Sequence, residues 1–319
     1  MNVALSQLCC SLGAAFLVAT TACASAPAVL PVALPQDDHA LKTVTARDGV
    51  PLVYAELLPD TAPRALLLYV SGVTGLNHRQ MKEQTEAFTS SGVGVLYVYP
   101  RGTGYSGGTR GHLSDLETYL DDHQRVLAQA VQTRPDLPVF VMGASMGAAL
   151  AVKVAVKLGR VSGVILVNPA FRLKELKGAS PTAAQYVKYA AYYVFRKSTP
   201  VVDMSGDPEV IVEPRDREEA RQRKNDPLVQ PLHSLQTMML ARDVMDELPA
   251  NAARCDAPLL LLHGLLDPLV DPSGHAVIVD AWKAADKQKL ELPHGAHGYS
   301  TVLDALPQLT QWVVQHTPR

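Results

Sequence analysis

Cysteine is scarce in the part of this chain that can fold. Cys9, Cys10 and Cys23 sit in the first 23 residues, and only Cys255 remains beyond them. One thiol cannot build a disulfide framework there, so Cys255 reads as a small buried residue ahead of a core strand. An excess of charge is lacking as well. The chain has 29 basic and 31 acidic side chains, a net charge of −2, and no Lys/Arg run. That removes the electrostatic basis for a nucleic-acid partner. Metal-ligand spacing is absent from His39, His78, His112, His123, His233, His275 and His316, which read as surface or locally hydrogen-bonded residues. No internal repeat is visible.

What is present begins with an uncharged, largely apolar start, residues 3–22. Ser6, Gln7, Thr20 and Thr21 interrupt it too often for a good membrane span, and small residues follow. This pattern fits an export signal over residues 1–23. Two exits stay open. Ala24-Ser25-Ala26 is an A-x-A cleavage pattern, whereas Thr21-Ala22-Cys23 ends like a bacterial lipoprotein signal, with Cys23 as the acylated residue. The first gives a secreted or periplasmic protein. The second gives a membrane association through lipidated Cys23. Residues 24–40, punctuated by Pro27, Pro31 and Pro35, read as a linker, and the domain is expected over 41–319.

Within the domain, apolar runs alternate with amphipathic ones. Strands are expected at 52–57, 65–70, 93–99, 138–142, 161–167, 258–262 and 287–292. Helices are expected at 79–91, 114–132, 145–158, 272–285 and 301–315, the second with Ser114 as N-cap and Glu117 completing a capping box. This alternation predicts an α/β fold: a mostly parallel sheet with helices on both faces. Residues 171–248 break the rhythm and read as an insertion.

Gly143-Ala144-Ser145-Met146-Gly147 matches G-x-S-x-G between a buried strand and a helix. That context lifts a serine hydroxyl above the sheet on a tight turn and aims the following backbone N–H at a developing oxyanion. A hydroxyl needs a base, and the base an orienting acid. Asp267 follows one strand end and His297 the next, giving the order Ser, Asp, His that this fold uses. Asp271 is the alternative acid, although it lies where it could cap a helix. His294 is the alternative base, although it lies closer to the strand, and His263 reads as a structural hydrogen-bonding residue. Ser71-Gly72-Val73-Thr74-Gly75, after the 65–70 strand, offers Val73 N–H as a second oxyanion donor beside Met146 N–H. No metal or organic cofactor is implied.

These segments resemble the monoacylglycerol lipase, lysophospholipase and serine aminopeptidase-like branch of the α/β-hydrolases. The glycine loop 71–75 is similar to that branch's H-G-x-G loop, and 100–108 to its D-x-R-G-x-G-x-S-x-G loop. Asn225-Asp226-Pro227-Leu228-Val229, His263 to Asp267 and Pro293 to His297 match further motifs. The resemblance implies a helical cap at 171–248 and hydrolysis of small or lipid-like esters. Tyr186, Tyr189, Tyr192, Tyr193 and Phe195 would then either line an acyl entrance or pack the cap. Glu213, Asp216, Glu218 and Glu219 could hold a substrate amino group, as a peptidase would need. They alternate with Arg215, Arg217 and Arg221 and read instead as a solvated face. Two departures stand out: Ser71 replaces the usual His, and Tyr99-Pro100 the residues around the usual Asp.

Overall fold

A computed structural model describes residues 32–174, 191–192 and 194–318. The expected export signal and Cys23 lie outside them. Eight strands form one sheet: β1 (Leu41–Thr45), β2 (Pro51–Leu57), β3 (Ala65–Val70), β4 (Val93–Val98), β5 (Val139–Ala144), β6 (Gly163–Val167), β9 (Leu259–Gly264) and β10 (Lys287–Leu292). Their order is β1-β2-β4-β3-β5-β6-β9-β10. β1 and β2 pair antiparallel, as do β2 and β4, and all later pairs are parallel.

The period of two in each strand splits the core cleanly. Leu66, Leu68 and Val70 of β3 face one way with Val141, Leu166 and Leu261, against α2 (Leu116–Ala130), α3 (Met146–Leu158) and Trp282. Ala65, Leu67 and Tyr69 face the other way with Phe140, Ile165 and Leu260, against Phe88 of α1 (Lys82–Ser90) and Trp312 near the C-terminus. Being buried on both faces is why these strands read as continuous apolar runs.

Between β6 and β9 lie β7 (Pro200–Asp203), α4 (Pro214–Lys224), β8 (Leu232–Ser234), α5 (Leu235–Asp246) and α6 (Leu248–Ala252). β7 and β8 pair antiparallel, so the segment is not purely helical. Both strands are short; β7 is only half-buried, and the buried residues of β8 are the polar His233 and Ser234, so neither is an apolar run in the sequence. Val244 and Leu248 join the same core as α3, which places the end of the expected insertion in the body of the domain.

Other details depart from the sequence reading. Asp115, not Ser114, caps α2: its carboxylate accepts Thr118 N–H at 2.7 Å, while the Ser114 hydroxyl donates to that carboxylate. A carboxylate is the stronger acceptor and also favours the positive end of the helix dipole. Glu117 turns outward to Lys157 instead of closing a capping box. After α7 (Ser273–Ala281), the expected last helix is two, α8 (Tyr299–Asp304) and α9 (Leu306–Gln315), with Pro307 in the first turn of α9, where its missing N–H costs nothing. Residues 32–40 lie against the domain: Arg79 donates to Asp38, and Val32 and Leu34 pack near Tyr99. Among the described residues no helix is long and apolar enough to cross a membrane.

Candidate active site

The parallel strands end on one edge, and their loops carry Ser145, Asp267 and His297, on the edge where an open α/β sheet binds its ligands. Ser145 joins β5 to α3 with φ 55° and ψ −124°, a conformation costly for a residue with a Cβ. The turn closes because its glycines bring backbone together. A Cβ on Gly143 would fall 2.2 Å from the Gly147 carbonyl oxygen, and one on Gly147 2.5 Å from the Val70 carbonyl oxygen.

Asp267 lies in the loop after β9 and is almost fully buried. Its Oδ1 accepts the Leu269 and Val270 N–H groups at 2.7 and 2.9 Å, which leaves Oδ2 to His297 Nδ1 at 2.8 Å. Burial pushes the carboxyl up, but the hydrogen bond and charge of His297 and the two backbone amides outweigh it. Its pKa falls below the usual carboxylate value. With Nδ1–H given to Asp267, Nε2 accepts from the Ser145 hydroxyl at 2.9 Å. The tautomer follows from this network. The structure thus joins Ser145, His297 and Asp267 in one chain of hydrogen bonds.

The alternatives stand apart from that chain. Asp271 accepts the Ser273 N–H at the start of α7. His294 is exposed. His263 is buried edge-on against His275, with ring centroids 4.3 Å apart.

Val73 and Met146 both line the cavity over Ser145, which measures about 360 Å³. Tyr69, Leu76, Met81, Tyr299 and Val302 form apolar wall, and Glu219 and Arg223 of α4 form polar wall. The solvated-face reading therefore fails for part of α4. Asp216 is buried, and Glu219 faces the cavity, where burial raises its carboxyl, with Arg223 and His297 opposing and Asp216 adding to the rise. The helix turns one side to the site and the other to water, so alternating charge in sequence became two different faces. Glu213 bonds Arg215, and Glu218 is exposed, as that reading expected. Of the aromatic run, Tyr186, Tyr189 and Tyr193 lie outside the described residues. Tyr192 is half-buried, and Phe195 is 82% exposed.

Asn168 also shapes the site, a role that its sequence neighbours barely signal. It is fully buried at the end of β6 with φ 43°. Its side-chain amide donates to the Ala296 carbonyl at 2.9 Å and accepts from Gly264 N–H at 2.8 Å, tying the His297 loop to the end of β9. Its only signal was an Asn-Pro pair closing a buried strand. The two departures from the family motifs are locally compensated. Tyr119 donates its hydroxyl to the Ser71 carbonyl at 3.1 Å. Arg101 grips Asp122 with two bonds of 2.6 and 2.8 Å and so pins the loop after Tyr99-Pro100.

Residues 61–301 match the family described as serine aminopeptidase, S33. The chain belongs to this family. Among curated relatives, a monoacylglycerol lipase of Mycolicibacterium smegmatis is 29% identical, over 84% of this chain and 94% of its own length. Human monoglyceride lipase is 27% identical, over 92% and 96%. Among solved structures, a soluble variant of the Saccharomyces cerevisiae monoglyceride lipase, crystallised with a substrate analogue, superposes with TM-score 0.72 at 19% identity, covering 92% of this chain and 98% of that one. The Paleococcus ferrophilus monoacylglycerol lipase superposes at 0.67 and 21%, covering 83% and 99%. The fold is that of the α/β-hydrolases. Among the described residues no group of three or more His, Cys, Asp or Glu is placed to hold a metal ion.

Proposed function

We propose that the protein is a serine hydrolase that cleaves lipid-like carboxylic esters, of monoacylglycerol or lysophospholipid type. The observation that carries this reading is His297 held between Ser145 at 2.9 Å and Asp267 at 2.8 Å on the floor of a cavity with one apolar and one polar wall. His297 Nε2 takes the Ser145 proton as the hydroxyl oxygen attacks the ester carbonyl. The N–H groups of Val73 and Met146 receive the oxyanion. The tetrahedral adduct collapses, the ester C–O bond breaks, and His297 returns the proton to the leaving alcohol. Water then attacks the acyl-enzyme by the same route and frees the acid. The apolar wall suits an acyl chain, and Glu219 and Arg223 suit the hydroxyls of a polyol alcohol.

A second reading, an amidase or peptidase, gains support from Glu219, a carboxylate that could take a substrate amino group. Arg223, 3.5 Å away, already neutralises it. Hydrolysis rates on p-nitrophenyl esters and monoacylglycerols of graded chain length, lysophospholipids and aminoacyl p-nitroanilides separate the readings. The ester reading expects monoacylglycerols or lysophospholipids to be hydrolysed fastest, and preference for the anilides would sink it. The rival of another class, a binding protein without activity, requires that a fluorophosphonate leave Ser145 unlabelled.

The uncharged start and Cys23 support export, with the protein secreted or lipid-anchored in a bacterial envelope. Mass spectrometry of the mature N-terminus tests this. A diacylated Cys23 supports the anchor, a start at Ser25 or Pro27 supports simple secretion, and an intact Met1 in soluble cytoplasmic protein would overturn both.

A further inference from the structure

Asp216, Glu219 and Arg223 fall at i, i+3 and i+7 on α4, one face of one helix. Glu219 and Arg223 line the cavity, whereas Asp216 is buried behind it. Asp216 and Arg223 each grip a different loop of the site. Asp216 Oδ2 accepts Gly298 N–H at 3.1 Å, and Oδ1 accepts Ser300 N–H at 2.8 Å. These are open amides at the start of α8, directly after His297. Gly298 stands at the N-cap position of that helix and has no side chain to offer. Asp216 supplies the missing cap from another element. The two are matched in shape, because a Cβ on Gly298 would lie 2.5 Å from the Asp216 carboxyl carbon. Arg215 beside it donates two bonds, 2.7 and 2.9 Å, to Asp304 at the far end of α8.

Two turns along, Arg223 Nη2 donates to Thr74 Oγ1 at 3.1 Å and to the Gly75 carbonyl at 3.4 Å. Just past α4, Gln230 N–H donates to the Thr74 carbonyl at 2.9 Å, and Asn77 and Gln80 donate to Asp226 at 2.8 and 2.9 Å. The loop so held is the one that carries Val73. Ser71 stands there where the similar family motif has His, and its buried hydroxyl has no partner among the described residues. Within the loop Gly75 N–H donates to the Gly72 carbonyl at 3.0 Å, and Tyr119, α4 and the residues just after α4 supply the bonds from outside it.

We propose that α4 is a two-ended clamp in which Asp216 and Arg223 are positioning residues, holding the His297 loop and the Val73 loop at the separation that acyl transfer requires. Neither touches the reacting atoms. The clamp lies in the insertion, so seating this helix completes the site, and displacing it loosens both the base and the oxyanion donors together. The inference rests on the reading of Ser145 and His297 as reacting groups.

The test is the second-order rate at which a small fluorophosphonate labels Ser145, with kcat and KM on p-nitrophenyl acetate, an ester too short to need the polar wall. The variants are Asp216→Asn, Arg223→Ala and Arg223→Lys. Arg221→Ala is the control, because Arg221 lies on the same helix and is exposed, paired with Glu209. Asp216→Asn and Arg223→Ala are expected to slow labelling by roughly 10- to 100-fold and to lower kcat on the acetate by a similar factor, with KM little changed. Arg223→Lys should recover part of the loss, since a lysine keeps a donor for Thr74. Thermal midpoints read alongside identify any variant that has unfolded, and Asp216→Asn preserves shape so that this arm remains readable. Labelling rates for Asp216→Asn and Arg223→Ala equal to that of Arg221→Ala overturn the clamp, as does an equal fall in all three. A parent protein that does not label overturns the reading of Ser145 itself, and the clamp with it.

Discussion

His297 Nδ1 lies 2.8 Å from Asp267 Oδ2, and the other Asp267 oxygen is already committed to two backbone amides. The carboxylate therefore has one free face, and it fixes the imidazole tautomer that leaves Nε2 open to Ser145. Asp267→Asn keeps the shape but offers His297 an N–H in place of an acceptor. The expected loss in kcat is on the order of 10³- to 10⁴-fold. Asp271→Asn should cost less than about threefold, since Asp271 only accepts the Ser273 N–H at a helix start. Steady-state kinetics on one short ester decides, and comparable losses in the two variants would reassign the acid.

Ser145 carries φ 55° and ψ −124° without a glycine's freedom. Such strain costs roughly 1–3 kcal/mol, while placing glycine there costs about 0.5–1 kcal/mol in unfolded-chain entropy. Ser145→Gly should thus abolish hydrolysis and raise stability by about 1 kcal/mol. Urea unfolding measures it. A variant clearly less stable than the parent would mean that the turn is not strained.

Much of this was legible in the sequence because the buried strands announce themselves. The runs at 65–70 and 93–98 must be apolar on both faces, and a serine between glycines after such a strand has few other meanings. Asp267 and His297 were legible for the same reason: each follows a strand whose end could be placed. The work of Asp216 and Arg223 was not. Their alternating charges give the pattern of a solvated helix, and only the tertiary path of α4 shows that one face is turned inward. Asn168 was hidden differently, because a single Asn at a strand end carries no period, and the partners of its side chain, Gly264, Ala296 and His297, are distant in sequence. The split between α8 and α9 was legible in principle from Pro307, yet the apolar period runs through it unbroken.

His275 is fully buried against His263. Burial brings it down to about 4, with His263 and Lys289 adding to the fall and Asp267 opposing it. The unfolded chain takes up this proton near the ordinary histidine value of about 6.5, the folded chain only near about 4. Stability is therefore lost as pH falls from about 6.5 toward about 4, by on the order of 1–3 kcal/mol. His275→Leu cannot titrate and should lose less on acidification than the parent. Urea midpoints at pH 7 and pH 4.5 test this, and a parent–variant difference that is the same at both rules it out.

Glu219 joins stability to function in the opposite sense. Burial raises its carboxyl above the ordinary value, so ionising it is harder in the folded chain than in the unfolded one. The folded state therefore loses stability as pH rises from about 4.5 through the raised value. Glu219→Gln removes the titration. The variant should melt above the parent at pH 8, and the gain should vanish at pH 4, where both carry a neutral side chain. The same change exchanges the carboxylate, the stronger acceptor for the leaving alcohol's hydroxyl, for a neutral amide. Weakening that hydrogen bond costs about 1 kcal/mol, or roughly fivefold. The kcat/KM for a monoacylglycerol should accordingly fall by about that factor more than the kcat/KM for a nitrophenyl ester of the same acyl chain, whose leaving group has no free hydroxyl. Equal losses on the two esters would remove Glu219 from alcohol recognition. A melting difference that does not change between pH 4 and pH 8 would show that its carboxyl is not held up by burial.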